Sequence, residues 1–355
     1  MSTIMKKKNA GFLPSIISIA TANPPYTFTQ EEAYKLSGYD DKKIKAIFLN
    51  SGIRKRHFFV RPADKVPNES VNELNARYKE GAVDTGARAI SECLKNAGTK
   101  HIDFLAIVTC TGYLCPGLSS IYVKKLALNK SLQRTDIQGM GCAGALPALQ
   151  RGWDHVRANS GSNALVTAVE ICSAAYFIDS ASDLSMETVI GNVICGDGGA
   201  AVLLGENHVE GMPYILGFHT EIFSDYIDSV GFSSIGGKLK IVLGKEIQNI
   251  AGKAARKAIE ALLKKHSLKF KDIKRWIIHP GGRNVIVNIA DELGLTRKEL
   301  SASYEVLEEY GNMSSPTVLF VLKRIIDSTP LAEGELGIML ALGPGVAAEA
   351  ALLRW

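Results

Sequence analysis

The cysteine at position 142 has the surroundings of a reactive nucleophile. A short strand pattern leads into the turn Gly-Met-Gly-Cys-Ala-Gly at 139–144, and a helical pattern begins at Ala145. This order resembles a nucleophile elbow. A helix N-terminus places partial positive charge near such a side chain, which lowers the pKa of a thiol. The sequence predicts a thiolate nucleophile at Cys142, and the alternative interpretation is a buried structural cysteine.

Two further polar residues could assist a thiolate. Of the seven histidines, His279 ends a buried strand pattern and precedes a Pro-Gly-Gly turn, and α/β folds bind ligands at strand ends that face a crevice. Asn312 lies in a turn before an apolar helix, where its amide could donate to a thioester oxygen. A satisfied core histidine and a helix N-cap asparagine are the alternatives. With Cys142, the two residues predict acyl transfer through a cysteine thioester.

Alternating strands and helices must position these residues. Strand patterns occur at 16–21, 104–110, 136–138, 164–171, 200–204, 276–278, 336–342 and 348–355. Helical patterns occur at 30–35, 41–49, 71–97, 118–128, 145–159, 245–265, 284–293 and 315–326. The alternation is typical of an α/β fold. We expect two halves, 1–205 with the cysteine and 206–355 with the histidine and asparagine, joined by an irregular, glycine-rich segment over 205–245.

The composition favours a globular cytoplasmic protein without metal. The chain has 355 residues, of which 46% are hydrophobic and 22% charged, and no stretch reaches the roughly 18 to 20 apolar residues of a membrane helix. The six cysteines contain no CxxC pair or zinc spacing, so we expect free thiols in a reducing compartment. A net charge of +5 comes without a nucleic-acid-binding motif, and residues 1–9 read as a basic tail.

Several motifs along the chain resemble those of the type III polyketide synthases, the chalcone synthase-like enzymes. They are Gly-Cys at 141–142, His-Pro-Gly-Gly at 279–282, Gly-Asn-Met-Ser-Ser at 311–315 and Gly-Pro-Gly at 343–345, with further matches at 21–25, 53–56 and 196–201. The resemblance covers nearly the whole chain. It implies a thiolase-like fold of two similar halves in αβαβα layers, which pairs as a homodimer and needs no metal or redox cofactor.

The resemblance also implies a role for each candidate catalytic residue. Cys142 would take an acyl starter from a thioester, and His279 would support its thiolate as an ion pair. His279 and Asn312 would hydrogen-bond the extender carbonyl while malonyl-CoA loses carbon dioxide. The resulting enolate would attack the acyl group on Cys142 in a Claisen condensation.

The substrate pocket implied by the family differs here from the usual one. Its expected residues are Cys110, Thr111, Cys172, Ala175, Cys195, Gly231, Lys240, Ser314, Gly343, Pro344 and Gly345. Cys195 and Lys240 stand where the family usually has two phenylalanines at the junction of tunnel and cavity. Since Cys110, Thr111, Cys172 and Ala175 are small, we expect room for a long aliphatic chain.

The donor of the acyl groups is left open between coenzyme A and an acyl carrier protein. The predicted helix with Lys43 and Lys45 falls where the family binds coenzyme A phosphates, but Ala46 and Asn50 replace two of the basic positions. The main functional hypothesis is a synthase that extends an acyl-CoA starter with malonyl-CoA and cyclises the product to a pyrone or phenol. The alternatives are a ketosynthase that joins two preformed acyl chains, an enzyme similar to ketoacyl synthase III, a thioester hydrolase and a noncatalytic acyl-binding protein.

Overall fold

The computed structural model describes residues 12–61, 64, 66, 68–175, 185–244, 246–328 and 330–355. The strands are β1 Ser15–Ala22, β2 Tyr26–Thr29, β3 Lys55–Phe58, β4 Phe104–Val108, β5 Gln133–Ile137, β6 Ala164–Ile171, β7 Asp197–Gly205, β8 Tyr214–Ile222, β9 Val230–Ile235, β10 Lys238–Leu243, β11 Ile273–Ile278, β12 Leu336–Gly343 and β13 Ala347–Arg354. The α-helices are α1 Gln30–Ser37, α2 Lys42–Leu49, α3 Val71–Asn96, α4 Leu118–Lys125, α5 Ala145–Ala158, α6 Met186–Ile194, α7 Glu246–Lys265, α8 Arg283–Leu293, α9 Ser301–Tyr310 and α10 Thr317–Ser328. The predicted tail at 1–9 lies outside the described residues.

One mixed sheet contains two units with the same pattern of strand directions. Its order is β11-β12-β13-β8-β1-β7-β6-β4-β5. From β1, the successive pairings to β7, β6 and β4 are antiparallel, antiparallel and parallel, and the same sequence leads from β8 through β13 and β12 to β11. The units join where Ser15 pairs with Tyr214. The α/β fold of two similar halves is therefore confirmed, while the boundary after residue 205 stays a prediction.

Three apolar clusters separate the layers of this fold. Helix α3 packs on β1, β7 and β6 through one cluster. Helices α5 and α10 share a second cluster with strands of both units, and α7 covers β13, β8 and β12 through a third. Helices and strands thus alternate as αβαβα layers.

Strand β6 shows how the sequence builds this arrangement. Every residue of Ala164–Ile171 is buried. Leu165 and Val169 face the α3 cluster, whereas Val166 and Ala168 face the central helices. Because side chains alternate along a strand, a strand covered on both faces is apolar at nearly every position.

The segment 205–245 was predicted wrongly as irregular. It contains β8 together with the hairpin of β9 and β10, in which Ile235 pairs with Lys238. The two residues between them, Gly236 and Gly237, both have positive φ, at 56° and 78°. A two-residue hairpin turn of this kind requires that conformation, which glycine adopts without a steric penalty. The paired glycines were therefore a turn signal that strand periodicity alone did not supply.

None of the described helices is long and apolar enough to cross a membrane.

Candidate active site

Cys142 lies on a tight turn between β5 and α5. The residue belongs to a 3₁₀ turn, Gly141–Ala143, and Gly141 has a φ of +49°. A Cβ atom at Gly141 would come within 2.6 Å of Pro344 Cδ, and one at Gly343 would come within 2.7 Å of Ala143 Cβ. Glycine at these two positions lets the turn between β12 and β13, which includes Gly345, pack directly against the cysteine turn.

The backbone holds His279 and Asn312 at the ends of two other elements. His279 follows β11, and its N–H donates to the Leu340 carbonyl at 2.8 Å, which continues the pairing of β11 with β12. Asn312 follows α9, donates its N–H to Ile194 at 2.7 Å and accepts from Gly196 N–H at 3.0 Å. These bonds fix the backbone of Asn312 beside Cys195.

The Asn312 side chain connects the three catalytic candidates. Its Oδ1 accepts from Ser314 N–H at 2.8 Å, while its Nδ2 donates to the Gly281 carbonyl at 3.3 Å and lies 3.8 Å from Cys142 Sγ. A Cβ at Gly281 would lie 3.8 Å from His279 Nε2. The structure thus brings Cys142, His279 and Asn312 around one small region.

The His279 ring is available to a ligand. It is 3% exposed, and neither ring nitrogen has a hydrogen-bond partner among the residues that the structure describes. Buried polar atoms are nearly always hydrogen-bonded. Two unpartnered ring nitrogens in the cleft of a nucleophile are therefore suited to bind a polar group of a substrate.

Burial favours the neutral forms of the Cys142 thiol and the His279 imidazole. It raises the pKa of the Cys142 thiol to about 11, although bonds with Ser314 and Asn312 oppose the rise. It lowers the pKa of the His279 imidazole to about 3. Burial penalises a lone charge, so in this conformation it opposes the lowering of the thiol pKa that the helix N-terminus was expected to cause. The charged forms can coexist only as a pair, after the thiol proton has moved to the imidazole.

This coupling predicts a shift in the reactivity of Cys142 when His279 is replaced. In His279→Gln, which keeps a similar volume but cannot become a cation, burial should hold the thiol pKa well above its usual range, because no imidazolium can form to offset it. The rate of Cys142 alkylation by iodoacetamide should therefore keep rising into strongly alkaline pH, since the thiolate is the nucleophile. With imidazolium support, the wild-type curve should reach its plateau at lower pH. Identical curves would show that His279 does not stabilise the thiolate.

A buried carboxyl group organises one wall of the site. Glu170, at the end of β6, accepts hydrogen bonds from Cys110 N–H at 2.8 Å, Thr111 N–H at 3.1 Å and Ser315 Oγ at 2.7 Å. Cys110 Sγ lies 3.2 Å from Glu170 Oε1 and 3.5 Å from Ser314 Oγ. Burial raises the pKa of Glu170, and the bonds it accepts oppose that rise. Three predicted pocket residues, Cys110, Thr111 and Ser314, are thereby positioned together.

A cavity of about 620 Å³ adjoins the cysteine turn. Four of the predicted pocket residues line it: Cys110, Thr111, Gly231 and Pro344. Gly141, the neighbour of Cys142, also lines it. The volume lies within the roughly 300–1,000 Å³ of typical ligand sites, so this cavity is the candidate acyl pocket.

Other predicted pocket residues do not line this cavity. Cys172, Ala175 and Cys195 are buried in the apolar cluster that includes Ile241 of β10. A Cβ at Gly191 of α6 would meet Ile241 at 3.1 Å, so β10 packs closely over α6 and its surroundings. On the same strand, Lys238 lines the cavity and Lys240 does not. Lys240 is two residues from Lys238, one full period of a strand, and its assignment to the tunnel junction stays a prediction.

The helix α2 gives only partial support for a phosphate site. Lys43 is exposed, whereas Lys45 Nζ lies 3.2 Å from the Glu31 carboxylate. The charge of Lys45 therefore already has a partner of opposite sign.

No group of three or more histidine, cysteine, aspartate or glutamate residues suited to a metal ion occurs in the part of the chain that the structure describes.

Family models match both halves of the chain. Residues 5–208 match the N-terminal domain of the chalcone and stilbene synthases, and residues 232–355 match their C-terminal domain. The chain belongs to the chalcone and stilbene synthase family.

Similar proteins agree with this membership. The chain is 35% identical to 3,5-dihydroxyphenylacetyl-CoA synthase of Streptomyces toyocaensis, over 96% of this chain and 90% of that protein. It resembles the crystal structure of PKS-I from the brown alga Ectocarpus siliculosus, with 31% identity, a TM-score of 0.87 and coverage of 97% and 98%. It also resembles 1,3,6,8-tetrahydroxynaphthalene synthase of Streptomyces coelicolor A3(2), a bacterial type III polyketide synthase, with 25% identity, a TM-score of 0.88 and coverage of 96% and 99%.

As a type III polyketide synthase, the chain is an acyltransferase that forms carbon–carbon bonds. Such enzymes have a thiolase-like fold and use coenzyme A thioesters, among them acyl-CoA and malonyl-CoA, without a further cofactor. They join acyl units by a cysteine-based Claisen condensation and cyclise the chain to phenolic or pyrone products.

Two residues of the site, Glu170 and Lys238, were not predicted from the sequence. Glu170 is the one carboxylate in the strand sequence Ala-Leu-Val-Thr-Ala-Val-Glu-Ile, and a charge in a buried apolar strand could have signalled its role. Lys238 gave no such signal, because its position depends on the register of the β9–β10 hairpin.

Proposed function

We propose that Cys142 is the residue of this synthase that carries the growing acyl group. The observation that supports this most strongly is the Asn312 amide, whose Nδ2 lies 3.8 Å from Cys142 Sγ, together with the His279 ring, whose nitrogens have no hydrogen-bond partner among the described residues. A soft nucleophile beside two potential hydrogen-bond donors suits thioester chemistry. In the first step, Cys142 attacks the starter thioester, an acyl–cysteine bond forms and the carrier thiol leaves.

His279 and Asn312 would then act on the extender. When a malonyl thioester loses carbon dioxide, the electron pair of the broken C–C bond moves toward the thioester oxygen as an enolate. The neutral imidazole of His279 and the Asn312 amide can donate to that oxygen, because preorganised donors stabilise developing negative charge. The low pKa of His279 keeps its ring neutral. The enolate carbon attacks the acyl–Cys142 carbonyl, the new C–C bond forms and the cysteine sulfur leaves.

Product analysis tests this reaction. With an acyl-CoA starter and malonyl-CoA, the wild-type enzyme should release one carbon dioxide for each two-carbon unit added, and the product mass should equal that of a cyclised pyrone or phenol. Free starter acid as the sole product would contradict the proposal and indicate a thioester hydrolase. A product assembled from a β-ketoacyl carrier protein without carbon dioxide release would instead support the joining of two preformed chains.

The finer assignments of substrate contacts belong to the same proposal. We place the acyl chain in the cavity lined by Cys110, Thr111 and Gly231. Lys43 is the better candidate for coenzyme A phosphates, because Lys45 is paired with Glu31. An acyl carrier protein remains an alternative donor, and mutation of Lys43 should raise KM only for the donor it binds.

The synthase is proposed to act as a cytoplasmic homodimer. Tyr113 is 72% exposed although it also lines the cavity, so a second subunit placed here would lie beside the acyl pocket. All six cysteines are free thiols, which suits a reducing compartment. A monomeric mass in sedimentation at micromolar concentration would contradict the dimer, and recovery from an oxidising compartment would contradict the location.

A further inference from the structure

One charged side chain stands in the wall of the acyl cavity. Among the described lining residues, Lys238 is the only charged one, and none is a carboxylate. Around it the wall is neutral, with the amides of Asn75 and Gln138, the Thr111 hydroxyl and aromatic or aliphatic groups. This distribution is unusual for an apolar chain pocket, because burying an unpaired ammonium beside hydrocarbon costs free energy.

The fold holds Lys238 in this position. Lys238 begins β10 directly after the Gly236-Gly237 turn and pairs with Ile235. A Cβ at Gly237 would meet the Val71 side chain at 3.4 Å, so the end of the hairpin rests on the first turn of α3. Lys238 is half-buried there, and no described carboxylate lies within ion-pair distance of its amine. The contact between the hairpin and α3 therefore holds the start of β10, and with it the Lys238 side chain, at the cavity wall.

The turn that carries the nucleophile forms part of the same cavity wall. Gly139 and Gly141 line the cavity with Cys110, and Cys142 directly follows Gly141. The inference takes an acyl chain on Cys142 Sγ to extend from this turn into the space that contains Lys238. An acyl chain that ends in a methyl group would displace water from the ammonium without replacing the lost hydrogen bond. A carboxylate at the chain end would instead form a charge-assisted hydrogen bond with the ammonium.

We propose that Lys238 selects acyl starters that end in a carboxylate, that is, coenzyme A half-thioesters of dicarboxylic acids. This inference rests on the proposed function, because it takes Cys142 as the attachment point. It assigns Lys238 as a residue that determines specificity by direct contact with the remote end of the starter.

Matched pairs of starters test the assignment. We would measure kcat/KM with malonyl-CoA for hexanoyl-CoA against adipyl-CoA, octanoyl-CoA against suberyl-CoA, and decanoyl-CoA against sebacyl-CoA. For at least one length, the wild-type enzyme should prefer the carboxylate by about 10- to 100-fold, as expected for one hydrogen bond to a charged group. Lys238→Met should abolish the preference by lowering only the carboxylate value, and Lys238→Arg should keep it.

Two comparisons keep the result specific. Lys264→Met, which removes an exposed lysine from the end of α7, should leave both values unchanged. If Lys238→Met left the preference intact, or lowered both starters equally, the proposal would be overturned. If it raised the KM of malonyl-CoA with octanoyl-CoA as starter, the bound carboxylate would belong to the extender, and the assignment to the starter would be wrong.

A binding measurement separates this inference from the proposed function. Cys142→Ala cannot form the thioester, yet it should bind suberyl-CoA about 10-fold or more tightly than octanoyl-CoA, and the added change Lys238→Met should equalise the two dissociation constants. This result with no condensation in the wild type would refute only the proposed function. Equal binding of both thioesters by Cys142→Ala would refute the carboxylate site, whatever the activity.

Discussion

Replacing Cys142 by alanine should reduce the rate of condensation by about 10⁴-fold or more. Without the covalent nucleophile the acyl–cysteine intermediate cannot form, so the whole reaction route is lost and not a single contact. The change deletes a single sulfur atom from a partly exposed side chain, so the fold should survive. The measurement is the rate of polyketide formation with saturating thioesters, together with the thermal unfolding midpoint of the same sample.

Cys93 supplies the matched control. It is a buried thiol near the C-terminal end of α3 whose Sγ lies 3.6 Å from the Ser18 carbonyl, and it does not line the cavity. Cys93→Ala should lower the unfolding midpoint slightly, because it leaves a small void, and it should keep the wild-type rate. Full condensation activity in Cys142→Ala would contradict the assigned nucleophile.

Replacing Asn312 by alanine should reduce decarboxylative condensation by about 10²- to 10³-fold, as expected for a lost oxyanion donor. Loading of the starter onto Cys142 should suffer much less, since that step keeps the thiol and His279. The two steps can be measured separately, by carbon dioxide release from malonyl-CoA and by the rate of acyl adduct formation.

Asn312→Asp refines this prediction. An aspartate can still accept from Ser314 N–H, which Asn312 Oδ1 does at 2.8 Å, but it has no Nδ2 to donate. Its second oxygen would face the Gly281 carbonyl, to which Nδ2 donates at 3.3 Å, so the unfolding midpoint is measured with it, and the variant should lose the decarboxylation step. If Asn312→Ala lost loading and decarboxylation equally, Asn312 would be a structural residue that holds the loop.

The strands, the close-packed turns and the candidate catalytic residues could be predicted from the sequence because their signals are local. Strands such as β6 and β12 are apolar at nearly every position because they are covered on both faces, and the glycines around Cys142 and Gly343 mark turns that pack closely. Both features are local, so the sequence contains them. The candidate site residues could be named because each follows a strand or precedes a helix at a marked turn.

Two features of the site, the position of Lys238 and the raised pKa of Cys142, depend on packing between segments that are distant in the sequence. How far along β10 the cavity extends depends on the pairing of Lys238 with Ile235 and on contact with α6, so no local pattern indicated Lys238. The burial of Cys142 also depends on distant segments that close over it. Its pKa rises for that reason, whereas the local helix argument predicted the opposite direction.

The most direct test of the central claim is intact mass spectrometry of the wild-type protein after incubation with acyl-CoA and acyl carrier protein thioesters, followed by peptide mapping. The proposed mechanism predicts one added acyl group on Cys142, which hydroxylamine removes and which Cys142→Ala never acquires. If no donor produced an adduct on Cys142, or if the acyl group mapped to another cysteine such as Cys110, the assignment of Cys142 as the acyl-carrying nucleophile would be wrong.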